Sequence, residues 1–370
     1  MTPLSILHTE SSIGWGGQEI RILTEMAGFQ RRGHRVHLLT PASAEIYPAA
    51  QARGIPVTTI PMVKKTLPAL WAMRSWLAEH GREFDVVNTH SSTDSWLAAL
   101  SCATLGKTPP LVRTRHVSTA INNHASTGWL YQRATAHVVT TGEALKSQLA
   151  RDNGFDPARM TSVRTGIDLA YYRPLNQTEC RIDLDVDNRP TLGVLATLRD
   201  WKGHDVLLDA WVELQADFPD WQLIVIGDGP RRAHLEKRVR EMKLSGAVRF
   251  VGNQDNVPEW LGCLDLFTLP SWGDEGVPQG IMQAMAGGLA VVSTPVGAIR
   301  EAVVENVTGL MAAPRDPASL AASLGILMGD AVLRRQMGEA GLAYARENFG
   351  VDVMLDRMEG VFRQVLGKTA

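Results

Sequence analysis

The chain alternates short β-branched and apolar runs with longer helical patterns, and it does so twice. That alternation is the signature of parallel strands joined by crossover helices. In the first half, strands are expected near residues 5–8, 36–39, 57–60, 85–88, 111–114, 137–140 and 160–163. Helical patterns fall between them, and the one over residues 19–32 sets Ile20, Leu23, Met26 and Ala27 on one face. The pattern breaks near residues 171–190, where Arg173-Pro174 and the polar stretch 176–187 read as a linker. It restarts with strands expected near 191–196, 222–226, 248–251, 264–269 and 290–293, and helices over 204–215, 231–242 and 280–286. The chain has 370 residues, and domains run to roughly 150 residues each, so two are expected. Their spans are 1–172 and 188–349, and a last helix within 350–366 rejoins the first. That helix carries Val353, Met354, Met358, Val361, Phe362 and Val365, an apolar face that must be buried. The expected fold class is α/β, with two doubly wound domains facing across a cleft, the usual place for a ligand.

Composition narrows the function classes. The chain is 45% hydrophobic and 21% charged, the profile of a soluble globular protein. A formal net charge of -2 argues against nucleic acid as a partner. Cys102, Cys180 and Cys263 show no C-x-x-C spacing, so neither a zinc site nor a disulfide framework is expected. The start reads as a first strand, not a signal peptide, and no run approaches ~18 apolar residues. A cytoplasmic protein is expected, and the sequons at Asn176 and Asn306 carry no weight in that setting.

Several segments carry candidate chemistry. Gly14-Trp15-Gly16-Gly17-Gln18-Glu19 follows the first strand and opens a helix. Glycines there let backbone approach a ligand, and the helix start offers free N–H groups to an anion. A plain strand-to-helix turn explains the segment equally well, and the spacing is not that of a dinucleotide fingerprint. Arg199-Asp200-Trp201-Lys202-Gly203-His204 places two cations after a strand, suited to a diphosphate but also to a solvated loop. Gly227-Asp228-Gly229-Pro230-Arg231 is explained by a tight turn or by close ligand approach. In the segment from Pro270 to Ala286 a loop leaves a strand, presents Asp274 and Glu275, and enters a helix through Gly276, Val277, Pro278, Gln279 and Gly280. Gln283 lies one turn into that helix. His90 and His116 each stand just past a strand, the ligand edge of a doubly wound sheet, although a lone histidine is more often a structural hydrogen-bonder. Asp183, Asp185 and Asp187 lack the Gly and Glu of a calcium loop and read as solvated linker. Lys64-Lys65 beside Trp71 and Trp76 suits a membrane surface, but a core-facing crossover helix is the favoured reading.

Taken in order, these pieces resemble the retaining glycosyltransferases of family four, also called glycosyl transferases group 1, with a GT-B fold of two Rossmann-like domains. The matching residues are Gly16-Gly17-Gln18-Glu19, His116, Thr165-Gly166-Ile167-Asp168 with Arg173-Pro174, Lys202-Gly203, Gly227-Asp228-Gly229-Pro230, Phe250-Val251-Gly252, and Glu275-Gly276 through Met285-Ala286. Gly297, Glu301 and Gly309 continue the pattern. The resemblance implies a nucleotide-diphosphate-sugar donor held mainly by the second domain, with no metal and no other cofactor. Lys202, with Arg199 beside it, would neutralise the diphosphate. Gly16 and Gly17 would complete that pocket when the cleft closes. Glu275 would meet hydroxyls of the transferred sugar, Gln283 would grip the ribose, and His116 would sit near the reacting centre. Gly227, Gly229, Gly276, Val277, Pro278 and Gln279 would line the donor. The family shows a glutamate where this chain has Gln283, so an amide replaces a charge-assisted contact. An arginine usual five residues before the lysine is replaced by Thr197, and Arg199 lies two positions on.

The implied reaction transfers a sugar to an acceptor hydroxyl, with a saccharide or lipid-linked saccharide of the cell envelope as acceptor. Peripheral contact with the inner face of a membrane suits such an acceptor. Two other readings stay open: a sugar-nucleotide epimerase, and a non-catalytic nucleotide-binding or interaction protein, the latter motivated by Gln283 and Thr197.

Overall fold

The computed structural model describes residues 2–117, 119–273 and 275–367. They divide into two compact units, one running from the N-terminus to Gly166 and resuming at Val351, the other Ile167–Gly350.

The first unit is a seven-stranded sheet in the order β3-β2-β1-β4-β5-β6-β7. Its strands are β1 (Ser5–Thr9), β2 (Arg35–Thr40), β3 (Val57–Thr59), β4 (Val86–Thr89), β5 (Leu111–Arg115), β6 (His137–Thr140) and β7 (Met160–Ser162), and neighbours pair in parallel. Six helices lie along it: α1 (Gly17–Arg31), α2 (Ile46–Ala52), α3 (Leu67–His80), α4 (Ser92–Ala103), α5 (Ala125–Trp129) and α6 (Glu143–Asn153). Strands β4, β5 and β6 are buried at every residue, including polar ones such as Asn88, Arg113, Thr114 and His137.

Helix α1 buries a different face from the one its apolar residues suggest. Ile22, Leu23, Met26 and Phe29 are buried, while Ile20 is 38% exposed. Arg21 and Glu25 turn inward with the buried set. Arg21 Nη1 donates to the Val163 carbonyl at 2.8 Å, its Nε lies 3.9 Å from Glu25, and Asn88 Nδ2 donates to Glu25 at 3.4 Å. Two charges that neutralise each other can occupy inner positions, and periodicity of apolar residues alone cannot see that. Burial pushes the Glu25 carboxyl up to about 7 and lowers the Arg21 guanidinium, each offset in part by the other's charge.

The final helix, α14 (Val351–Val365), packs on α1 within this unit. Met354, Leu355, Met358, Val361 and Phe362 are buried. A Cβ at Gly28 would lie 2.5 Å from Leu355 Cδ1, so glycine is what lets the two helices close. Arg32 adds ion pairs to Asp352 at 2.9 Å and Asp356 at 2.7 Å.

The second unit is a six-stranded parallel sheet in the order β10-β9-β8-β11-β12-β13. It opens with α7 (Gln177–Asp183), inside the stretch that reads as linker. Cys180 and Arg181 are buried there, and Arg181 reaches the Cys263 carbonyl at 3.0 Å and Asp265 at 2.8 Å. A helix with so few inward residues leaves almost no periodic signal. Then come β8 (Thr191–Leu195), α8 (His204–Asp217), β9 (Gln222–Ile226), α9 (Arg232–Glu241), β10 (Val248–Gly252), α10 (Val257–Gly262), β11 (Leu266–Leu269), α11 (Gln279–Ala286), β12 (Val291–Ser293) and β13 (Gly309–Met311). Two helices absent from the expected set follow, α12 (Pro317–Gly329) and α13 (Ala331–Asn348). Their starts were written in the chain: Asp316 caps Ser319 N at 3.0 Å, and Asp330 caps Leu333 N at 2.9 Å. Trp211 sits fully buried in this core. Among the described residues no helix is long and apolar enough to cross a membrane.

Candidate active site

In the second unit the chemistry gathers on loops after β8, β9 and β11, three adjacent strands. Lys202 follows β8 and Glu275 follows β11. Their side chains meet, with Lys202 Nζ 2.6 Å from Glu275 Oε1, and they remain 18% and 10% exposed. Ser271 Oγ donates to the same carboxylate oxygen at 2.8 Å. The pair sets a cation and a hydroxyl-binding carboxylate side by side, the two groups that a sugar phosphate asks for.

Backbone contacts hold both residues. Trp272 N donates to the Trp201 carbonyl at 2.8 Å, clasping one loop to the other. Gly203 has φ +77, and a Cβ there would stand 1.9 Å from the Pro270 carbonyl oxygen. Behind Glu275, Ala298 N donates to its carbonyl at 2.9 Å. Gly297 permits that approach with φ +53, since a Cβ would come within 2.1 Å of the same oxygen.

The remaining donor-side candidates divide. Gly276, Val277 and Pro278 lead into α11, with Pro278 as its N-cap and Gln279 its first residue. Gly280 brings that helix onto the end of β8, where a Cβ would lie 2.7 Å from the Leu195 carbonyl. Gln283 hydrogen-bonds the Tyr172 hydroxyl, which tempers a pKa that burial pushes up to about 12. Tyr172 was not singled out from the sequence, because it lies 111 positions from Gln283 (283 − 172). Arg199 is exposed, its guanidinium 5.2 Å over the Trp201 ring, and it does not join the Lys202–Glu275 pair. Gly227 and Gly229 have packing reasons of their own: Cβ atoms would lie 2.2 Å from the Ala196 carbonyl oxygen and 2.7 Å from that of Leu198. Asp274 lies outside the described residues.

The first unit carries the other candidates. Gly16 is the N-cap of α1 in an extended conformation that any residue adopts. A Cβ there would meet only Glu19 Oε2, at 3.6 Å, so among the described residues nothing inside the unit demands glycine. His116, just past β5, places its Nε2 2.9 Å from His90 Nδ1. Burial, then the charges of Arg21 and Arg113, keep the His116 imidazolium form well out of reach.

Beside His90 lies a carboxyl pair that the motif reading missed. Asp94 accepts from Thr9 Oγ1 at 2.6 Å and from the N–H groups of His90 and Ser91, both at 2.9 Å. The Ser91-x-x-Asp94 capping box was its visible signal. Glu10 accepts from Ser12 N, Gln18 Nε2 and Ser91 Oγ, tying β1 to the glycine loop. Burial first, then the Asp94 charge, pushes Glu10 up to about 7. A carboxyl raised in the folded state contributes stability that is full below its unfolded pKa and is lost as pH rises through the folded one. The window here runs from the ordinary value of 4.5 to about 7. Glu10→Gln removes that titration. Its melting temperature relative to wild type is therefore expected to climb as pH goes from about 5 to about 8. Differential scanning fluorimetry across that range checks this, and a gap that does not change with pH contradicts it.

Two family models match the chain: one described as Glycosyltransferase Family 4 over residues 15–171, and one described as Glycosyl transferases group 1 over residues 189–330. Among curated proteins, the lipopolysaccharide core biosynthesis mannosyltransferase LpsB of Rhizobium meliloti is 28% identical, over 90% of this chain and 95% of its own length. Among solved structures, a glycosyltransferase from Rickettsia africae ESF-5 superposes with a TM-score of 0.89 at 20% identity, covering all of both chains. Anabaena Alr3699/HepE, solved in complex with UDP, gives 0.86 at 20% identity over 98% of this chain and 100% of that one. The two parallel α/β sheets are thus those of the GT-B fold.

Proposed function

We propose, on the premise that this chain belongs to the group 1 and family 4 glycosyltransferases, that it moves a sugar from a nucleotide-diphosphate donor to an acceptor hydroxyl with retention of anomeric configuration. The observation that carries this reading is the Lys202–Glu275 pair at 2.6 Å, held between two glycine-dependent loops. Negative charge grows on the diphosphate as the glycosidic bond breaks. Lys202 and the N–H groups entering α11 stabilise it electrostatically, so the reaction is proposed to need no metal. Glu275 orients the sugar through its hydroxyls while the anomeric centre gains oxocarbenium character. Gln283 holds the ribose by accepting from one hydroxyl and donating to another. His116 acts near the reacting centre, and attack comes from the face that the phosphate leaves.

The acceptor is proposed to be a saccharide or lipid-linked saccharide of the cell envelope. The lipopolysaccharide-core mannosyltransferase at 28% identity supports this class. Thermal shift against UDP, GDP, ADP and their sugar conjugates, with and without EDTA, tests the donor site. A ligand at ~100 times its dissociation constant adds about 2.7 kcal/mol. A shift for one base, unmoved by EDTA, supports the reading, and NMR of the transferred sugar reports its configuration. Nucleotide binding with neither transfer nor donor hydrolysis sinks it in favour of a binding module. Conversion of the donor without an acceptor favours an epimerase.

Contact with a membrane surface is part of the same proposal. Helix α3 buries Ala69, Met73 and Leu77, as a crossover helix should, yet Leu67 is 81% and Trp71 67% exposed. Lys64 and Arg74 flank them, and the Arg74 guanidinium lies 5.8 Å over the Trp71 ring. Replacing both with serine (Leu67→Ser, Trp71→Ser) is expected to weaken co-sedimentation with anionic vesicles on the order of tenfold, from lost apolar burial. Equal sedimentation of wild type and variant contradicts the surface assignment.

A further inference from the structure

Three histidines stand in line in the first unit, one from each of three neighbouring strands. His8 lies in β1, His90 follows β4 and His116 follows β5, and these strands are adjacent in the order β1-β4-β5. His116 Nε2 is 2.9 Å from His90 Nδ1, and His90 Nε2 is 3.0 Å from His8 Nδ1. The His8 and His90 rings are parallel within 7°, with centroids 5.3 Å apart. His8 is fully buried and His90 nearly so. Among the described residues, the far nitrogen of the chain, His8 Nε2, has no hydrogen-bond partner.

Each link in such a chain needs one N–H and one lone pair, and a neutral imidazole carries one of each. Both links run from an Nε2 to an Nδ1. The three neutral rings must therefore share one tautomer. If His116 is to change what its outer nitrogen offers, both inner rings must change with it. We infer that His8 and His90 are positioning residues that fix the tautomer of His116, with the proton on Nδ1 in all three rings.

The inner end decides the direction. If the protons sat on Nε2, His8 would bury an N–H without an acceptor. The same polar layer holds two orphaned donor nitrogens, Arg21 Nε and Nη2, which carry three N–H between them, against one orphaned acceptor oxygen, Glu25 Oε2. Asn88 joins that layer to His8, being its register partner in β4 and a donor to Glu25. A lone pair at His8 Nε2 reduces that donor surplus, whereas another N–H would add to it. The rings are neutral because burial pushes His8 down to about 3 and holds His90 and His116 well below the ordinary range. His116 then presents a fixed Nδ1–H donor, suited to a leaving oxygen or a sugar hydroxyl and unsuited to a general base. This consequence rests on the glycosyl-transfer reading above; the chain of rings does not.

The test is two-bond 1H–15N NMR of the histidine rings in the full-length protein at pH 7, with signals assigned by His→Asn variants. The expected result is three neutral rings, all protonated on Nδ1. Mixed tautomers or a protonated ring overturn the inference, and three rings protonated on Nε2 overturn its direction. Kinetics supply the second arm. His90→Phe is expected to lower kcat about 10–100-fold, the size of a lost positioning contact, with donor KM little changed. His8→Leu lowers kcat in the same direction, and His8→Asn, which keeps an amide near the Nδ1 position, recovers it. A folded His90→Phe with normal kcat overturns the positioning role. Should wild type transfer no sugar, the functional reading fails while the ring tautomers still decide the chain.

Discussion

Lys202→Ala is expected to lower kcat/KM by about 10²–10³-fold, the cost of removing one preorganised group that meets developing negative charge. The fold should survive. Lys202 lies on a loop and is 18% exposed, and its ammonium meets one carboxylate. Glu275 is left with the Ser271 hydroxyl and a path to water, so the loss of the partner costs no more than about 1–3 kcal/mol. Two measurements separate chemistry from folding. Steady-state kinetics with the donor varied should show kcat falling, because the charge matters most when the bond breaks. Thermal shift should show that nucleotide diphosphates no longer stabilise the variant. Lys202→Arg keeps the charge but replaces a point cation with a planar fork, so it should recover only part of the rate. Turnover of Lys202→Ala close to wild type would remove the diphosphate role from this residue.

Lys202 and Glu275 could be singled out because short loop motifs carry them, and their roles toward a donor belong to the proposal. A cation before a glycine after one strand, and an acid before a helix after another, bring local geometry with them. Their meeting at 2.6 Å follows from strands β8 and β11 being neighbours. Parallel α/β alternation was legible for the same reason, since buried strands such as Gln222–Ile226 are apolar after their first residue. What stayed hidden depends on pairing across distance. Arg21 and Glu25 look like surface residues until each is seen to neutralise the other. His8 reads as one polar residue in a strand, and only the sheet order sets it beside His90. Helix α7 turns Arg181 inward toward Asp265, 84 positions on, and a polar composition conceals it. Arg199, three positions before Lys202, has its guanidinium over the Trp201 ring, a contact that neighbouring residues in a loop can make and that the motif does not spell out.

The loop that carries Lys202 depends on a missing side chain, and Gly203→Ala exposes that dependence. Two costs add. The residue sits at φ +77, where an L side chain loses about 1–2 kcal/mol. The new Cβ would also stand 1.9 Å from the Pro270 carbonyl oxygen, a backbone atom with no rotamer to escape into. Relief requires one loop to move, at about 1–3 kcal/mol. The sum of roughly 2–5 kcal/mol should lower the melting temperature of a unit this size by 4 °C or more, at roughly 2–4 °C per kcal/mol. Gly288→Ala is the matched control in the same unit. It has φ +84, but its Cβ would meet only Pro174 Cγ at 3.7 Å, an ordinary contact. It should show the conformational cost alone and leave kcat unchanged. Gly203→Ala should melt lower than this control and also lose activity well below its melting temperature. The shift that relieves the clash strains the Trp272–Trp201 clasp and carries Lys202 away from Glu275, and a misplacement of about 1 Å can cost on the order of 100-fold in rate. Equal melting temperatures and equal rates for the two variants would mean that the approach of Gly203 to Pro270 does not hold the lysine in place. A lower melting temperature with full activity would place the contact in the stability of the unit alone.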